Sequence, residues 1–379
     1  MNFRNVDVFF LTVVAFFTVE VERVEAQQKA ELTWLSDHPP AVPIGVSWGV
    51  PWPEGEVSKD AAFKLQTSDG HVLPVQTWPT AYWPDGSVKW SGLATVADSQ
   101  AAGPLTLTLA DGQNGNRSSR QDLSVNVVER NDAIQINTGS MIAWLPKSGA
   151  DLIDSLVVDG RKVAGSAHLV AIHQEGDQED VLNPPPREKT ASWIDSVSIE
   201  QDGPVRAVVR YDGIHKGASS DRKWLPFTVR LYFYAGRKPI KMVHSVMYDG
   251  EQDQDFIKGL GVQFEVPMRE QIHNRHVRFS GKERGLWAEP VKPLESRRPI
   301  TYKEESVYPD QEQGKRVPDI TDYAPLVQGL INDLADWNSY KLVQESPMDS
   351  PSKREPIPKV HGLPPAGSRC VGCWYLQGT

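Results

Sequence analysis

Cysteine is almost absent from this sequence: 379 residues carry two, Cys370 and Cys373. A fold stapled by several disulfides is therefore excluded. Their C-x-x-C spacing has the form of a zinc or redox pair. A zinc site needs two further ligands, however, and only His361 is near. A redox pair opens a helix after a strand, whereas this one lies in proline-rich text. Positive charge is also short, with 40 Lys and Arg against 49 Asp and Glu, a net −9. That balance argues against nucleic acid as a partner, and an acidic polysaccharide would need a local cationic cleft. No apolar run reaches the ~20 residues that span a bilayer. "VFFLTVVAFFTV" at 8–19, after Arg4 and before "VEA" at 24–26, has the layout of an export signal over residues 1–26. It predicts a secreted or periplasmic protein with no membrane contact in the mature form. Asp7 and Glu20 are untypical of such signals and leave an uncleaved anchor as the second reading. Sustained helical periodicity is missing as well, except for one short helix expected in "YAPLVQGLINDLADW" at 323–337.

What is abundant is the Asp-Gly pair, at 69–70, 85–86, 111–112, 159–160, 202–203, 212–213 and 249–250. Such pairs suit type I′ hairpin turns, whose central residues both need positive φ. Between many of them lie alternating apolar runs: "SVNVVE", "SVSIEQ", "VRAVVRY", "FTVRLYFY", "IKMVHSVMY" and "GVQFEV". Period-two alternation predicts half-buried antiparallel strands, so the fold class is all-β. Short strands and dense tryptophan over 31–124 predict a small barrel, which closes its sheet edges. Longer strands over 126–346 predict a large antiparallel β-sandwich. From Pro347 to Thr379 the prolines multiply without apolar period, which predicts an irregular or disordered tail. Two polar stretches read as loops, 111–122, with the Asn116-Arg117-Ser118 sequon, and 174–190, with a proline run.

"QTWPTAYWPDGSVKW" at 76–90 concentrates Trp78, Tyr82, Trp83 and Trp90 around one turn. Prolines interrupt the set, which favours aromatic packing that fastens a hairpin to a barrel core over a sugar-stacking platform. Trp48 and Trp52 are the pair expected to be exposed.

These stretches, with "PPAVPIGVSWGVPWPEGEV", "RLYFYAGRKPIKMVHSVMYDGEQDQDFIKGLGVQFEVP" and "RHVRFSGKERGLWAEPV", resemble the exo-acting rhamnogalacturonan lyase family over about residues 32–344. The resemblance implies a RIFT-type barrel, then a β-sandwich, then an α/α toroid. The text after Ser346 does not resemble the third part, so the expectation is a chain that lacks the toroid and is inactive alone. The implied reaction is β-elimination at galacturonate in a pectic polysaccharide, so rhamnogalacturonan is the expected partner. The alternative is a non-catalytic carbohydrate-binding or interaction module.

Elimination needs a cation against the uronate carboxylate, a base for the C5 proton and an acid for the leaving oxygen. Arg230, Tyr232 and Tyr234 alternate along one predicted strand, and Met242, His244, Val246 and Tyr248 along the next. Arg230, Tyr232 and His244 are the candidate substrate-binding residues if the two strands bring them to one face. The bland alternative is a solvated sheet-face arginine and a hydrogen-bonded core histidine. No catalytic residue is assigned. Asp249, Glu251, Asp253 and Asp255 also alternate, but a calcium loop counted from Asp249 would need Gly at 254 and Glu at 260, where Gln254 and Leu260 stand. His273, Arg275, His276 and Arg278 form a basic cluster suited either to an acidic sugar or to a charged edge strand. No cofactor and no metal are expected.

Overall fold

The computed structural model describes residues 29–110, 124–177, 183, 185–217, 220–280 and 286–336. The segment 1–26, the sequon, and the tail with Cys370 and Cys373 lie outside the described residues. The chain divides into two compact units.

The first unit is built on two small sheets. Strands Lys29–Leu32, Leu105–Leu109, Phe63–Gln66 and Val72–Leu73 form one, and Ile44–Pro51, Val88–Ala97 and Val75–Tyr82 the other. Leu65, Leu93, Leu105 and Leu107 are wholly buried at its centre. Trp52, expected outside, is buried there, stacked on Phe63 with centroids 5.4 Å apart and its indole N–H donated to Ser91. Trp48 is half-buried beside Trp34 at 5.1 Å. The 76–90 aromatics are not the core either. Trp90 is 42% exposed and Tyr82 52%. The Trp78 ring lies on Gly92, where any Cβ would sit 2.3 Å from it. Trp83 is half-buried and donates its N–H to the Trp52 carbonyl at 2.9 Å. These rings therefore cover the sheet surface, while the four leucines with Trp52 and Phe63 fill the interior.

The second unit is a sandwich. A five-stranded sheet runs in the order Arg161–Ala164, Ser155–Val158, Ile142–Pro146, Ala133–Asn137, Asn126–Glu129. It faces a seven-stranded sheet in the order Asp151–Ile153, Ala167–Glu175, Arg187–Asp202, Arg206–Gly217, Lys223–Tyr234, Lys241–Val246, with Asp255–Phe264 also paired to Ala167–Glu175. Ile134, Ile136, Ala143 and Leu145 from the small sheet meet Leu169, Val209, Tyr211, Val229, Leu231 and Phe233 from the large one. The all-β expectation holds, with the long strands where period two placed them.

The Asp-Gly rule holds for Asp159-Gly160, where φ is +51° and +73° between two paired strands. It fails at Asp212-Gly213, which lies inside strand Arg206–Gly217. There Asp212 accepts hydrogen bonds from Arg210 and Thr228. Gly213 makes room: a Cβ would come within 2.3 Å of the Trp193 carbonyl oxygen and 2.7 Å of Phe227. After Phe264 the chain leaves these sheets. Leu294, Ile300, Val307, Val317, Tyr323 and Ile331 form a separate small core, with helices Tyr308–Glu312 and Pro325–Asp333. The second helix is the one foreseen at 323–337. The first, five residues with proline second, is too short to show a period.

Candidate functional site

Strands Arg206–Gly217, Lys223–Tyr234 and Lys241–Val246 carry two different surfaces, because alternate residues point to opposite faces. Arg230 pairs in register with Val243, and His244 with Val229. Val229 is buried in the sandwich core, so His244 faces inward and Arg230 outward. The two do not meet. The candidate trio divides into Arg230 and Tyr232 on the outer face and His244 within.

On the outer face Arg230 grips Glu200 with both ends of its fork, Nε at 2.8 Å and Nη2 at 2.9 Å. That bond raises the arginine's pKa further above its ordinary value. Arg210 holds Asp212 at 2.8 Å and reaches Glu200 at 3.8 Å, and the Thr228 hydroxyl donates to Asp212 at 2.7 Å. The Arg206 guanidinium lies 5.5 Å and the Lys241 ammonium 5.7 Å from the Tyr232 ring centroid. Arg206 is itself buried and held by Gln201 at 2.6 Å. Burial raises the Tyr232 hydroxyl's pKa, so it stays a neutral donor and acceptor. Arg206, Arg210, Arg230 and Lys241 against Glu200 and Asp212 leave a surplus of two positive charges (four minus two). Tyr234, expected on this face, is buried.

The inner face ends in a different cluster. His215 and His244 stand with ring centroids 5.8 Å apart, Phe227 within 5.2 Å of the first and 6.0 Å of the second. His215 Nδ1 donates to the Leu225 carbonyl at 2.8 Å, which leaves Nε2 as the bare lone pair. Burial, and next the His215 ring, push the His244 imidazole down to about 4, and burial also lowers His215. Both rings are therefore neutral at pH 7. Trp224 packs with Ala171, Leu225 and Leu260 and meets His173 edge-on at 5.0 Å. His173 donates to Asp255 at 2.7 Å, and Arg222 also pairs with that carboxylate. Burial works to raise the Asp255 carboxyl, but the Glu251 amide, His173 and Arg222 outweigh it and hold it below the usual range. His215 Nε2, His244 Nε2, Trp224 Nε1 and Arg222 Nε are all buried without a hydrogen-bond partner.

The other sequence candidates have structural work. Asp249 accepts the Leu225 amide at 2.7 Å, where Leu225 is held at φ +47°. His273 donates to Pro318 O at 3.0 Å and His276 to Gln311 O at 2.9 Å. Among the described residues no group of three or more His, Cys, Asp or Glu is arranged to hold a metal ion. Sequence reasoning missed Arg206, Lys241 and Glu200. Only the strand register shows that they flank Tyr232 and Arg230.

Two β units in series, the second with a cationic and aromatic outer sheet face, define a class of two-domain all-β protein. Residues 28–110 match the model of the PcRGLX-like N-terminal RIFT barrel domain, and residues 125–377 that of the PcRGLX-like protein central beta sandwich domain. The chain belongs to the PcRGLX-like family, and its two domains are rhamnogalacturonan-lyase-like. It is also similar to the uncharacterized protein YetA of Bacillus subtilis (strain 168), at 34% identity over 356 residues, which is 92% of this chain and 39% of that protein. The chain thus spans well under half the length of that relative.

Proposed function

We propose that this chain is the glycan-engaging part of an exported rhamnogalacturonan-lyase-like protein, and that it holds an acidic pectic chain on the outer face of the large sheet. The reaction of the whole protein on this reading is β-elimination at galacturonate. The observation that carries the proposal is the Tyr232 ring with the Arg206 and Lys241 cations at 5.5 and 5.7 Å from its centroid, two residues along the strand from Arg230. An aromatic face suits the C–H side of a sugar ring, and the surplus cations suit its carboxylate. No histidine lies among the named residues of this face, and burial keeps the Tyr232 hydroxyl protonated, so on this reading the face binds the pectic chain and does not take the C5 proton. The apolar stretch at 8–19 supports export, to the outside or the periplasm, and among the described residues no helix is long and apolar enough to cross a membrane.

The test is calorimetric titration with an oligosaccharide of alternating galacturonate and rhamnose, with absorbance of the unsaturated product followed in parallel. On an open, wet face the expected Kd is ~1 mM, weakening with salt, and turnover is absent. Tyr232→Ala and Arg230→Ala should each abolish binding. Undiminished binding by both variants would remove this face as the site, and robust turnover would remove the non-catalytic assignment.

A further inference from the structure

The outer face of the small sheet carries a groove of about 500 Å³ lined by Arg130, Asp132, Ala133, Trp144, Pro146 and Asp154. Trp144 lies on the central strand Ile142–Pro146, whose other face sends Ala143 and Leu145 into the core. The half-buried indole therefore rests on a fixed backbone. Arg130 stands over it, its guanidinium carbon 5.4 Å from the ring centroid, and one fork nitrogen donates to Gln135 at 3.3 Å. The Asp154 carboxylate accepts the Ser155 hydroxyl at 2.9 Å and keeps its other oxygen for a second donor. The Asp132 carboxylate has no side-chain partner among the described residues. Its backbone carbonyl meanwhile accepts the Lys147 amide at 2.9 Å. Lys147 is committed to Glu129 and the Arg130 carbonyl, so it does not neutralise the groove.

We propose that this groove is a binding site for an uncharged pyranose, separate from the acidic-glycan face and independent of it. The volume falls within the ~300–1,000 Å³ of small-ligand sites. An indole gives a flat apolar surface for the C–H face of a sugar ring. Two carboxylates provide acceptors for adjacent hydroxyls, and the Arg130 fork provides donors. Charge decides against a uronate: one arginine and two aspartates leave the lining at −1 (one minus two), which repels a carboxylate. A galactose-type ring, whose C3, C4 and C5 hydrogens lie on one face opposite the axial hydroxyl, offers the indole a continuous apolar patch that the alternating axial hydrogens of an all-equatorial ring do not.

The experiment uses the full chain, with galactotriose as probe, cellotriose as neutral control and trigalacturonate as acidic control. The Trp144 indole N–H, assigned by its loss in Trp144→Phe, is followed by NMR. Galactotriose should shift it saturably, and trigalacturonate should not. Trp144→Ala should weaken galactotriose binding at least tenfold, and Asp132→Ala severalfold, while Arg230→Ala leaves it unchanged. Should Trp144→Ala fail to fold, the indole shift in the unaltered chain and the Asp132→Ala affinity decide. No saturable shift with galactotriose, equal binding of cellotriose, or full affinity in Asp132→Ala would each overturn the proposal. Loss of acidic-glycan binding with galactotriose binding intact would count only against the outer face of the large sheet.

Discussion

The two faces of the large sheet share strands Arg206–Gly217, Lys223–Tyr234 and Lys241–Val246 and obey opposite rules. Outside, Arg210, Asp212, Thr228, Arg230 and Glu200 satisfy one another at 2.7–3.8 Å. Inside, His215 and Trp224 are buried and His244 is half-buried, each with a ring nitrogen unmet. An exposed polar group can exchange a partner for water or ligand at little cost. A buried one without a partner costs about 1–3 kcal/mol. The outer face is thus the surface able to trade contacts with a solute, and the inner end stores cost in exchange for shape. The difference teaches that the residues richest in chemistry are not the ones open to a substrate.

The sharpest way to break this contrast is at Trp224. Trp224→Ala should destabilise the sandwich unit by ~3–5 kcal/mol through cavity formation, read by denaturant unfolding. A loss under 1 kcal/mol would mean that the inner end is slack, not packed.

Acid should separate the faces next. The folded pKa of His244 is about 4, below its ordinary 6.5. The unfolded chain therefore binds the extra proton first. The stability involved is present above about pH 6.5, falls as pH drops from there, and is fully lost below about 4. The expected loss is about 2–3 kcal/mol. His244→Leu should flatten the melting profile between pH 6.5 and 4, with His215 leaving a residual slope. Asp255 loses its pairing only at lower pH, so it does not obscure the window. An unchanged slope in His244→Leu would place the titrating group elsewhere.

The smallest effect on stability is expected outside. Glu200→Ala breaks the bidentate pair, yet a pair this exposed is worth ~1 kcal/mol or less. It should, however, free Arg230 and raise affinity for a galacturonate oligosaccharide. Weaker binding would show that Glu200 orients the arginine and does not compete for it.

Much of this architecture was legible in the sequence. Alternation located the strands, and with them the all-β class. The faces were not legible, because alternation fixes only relative phase within one strand. Which residue of Lys241–Val246 lies opposite Arg230 depends on the connecting turn, and one residue of slip exchanges the faces. His244 was therefore grouped with Arg230 and belongs with Val229. Aromatic density was similarly ambiguous. Trp52 and Trp90 both lie in aromatic-rich, turn-containing stretches, but one is 3% exposed and the other 42%. Trp90→Ala accordingly should cost less than ~2 kcal/mol, short of a core truncation.

Strand Lys223–Tyr234 is written in two phases. Trp224 and Phe227 are three residues apart and both buried, which simple alternation forbids. Between them Leu225 and Pro226 stand against the single residue Ile214, with Leu225 turned to φ +47°. The extra residue works as an insertion that has been accommodated without shifting the frame downstream. Asp249 holds its amide and His215 its carbonyl, so the added letter is fastened at both ends. Deleting Leu225 would not merely shorten the strand. It would either turn Trp224 out to water or rotate every residue from Phe227 to Tyr234 by one face, moving Tyr232 and Arg230 into the core.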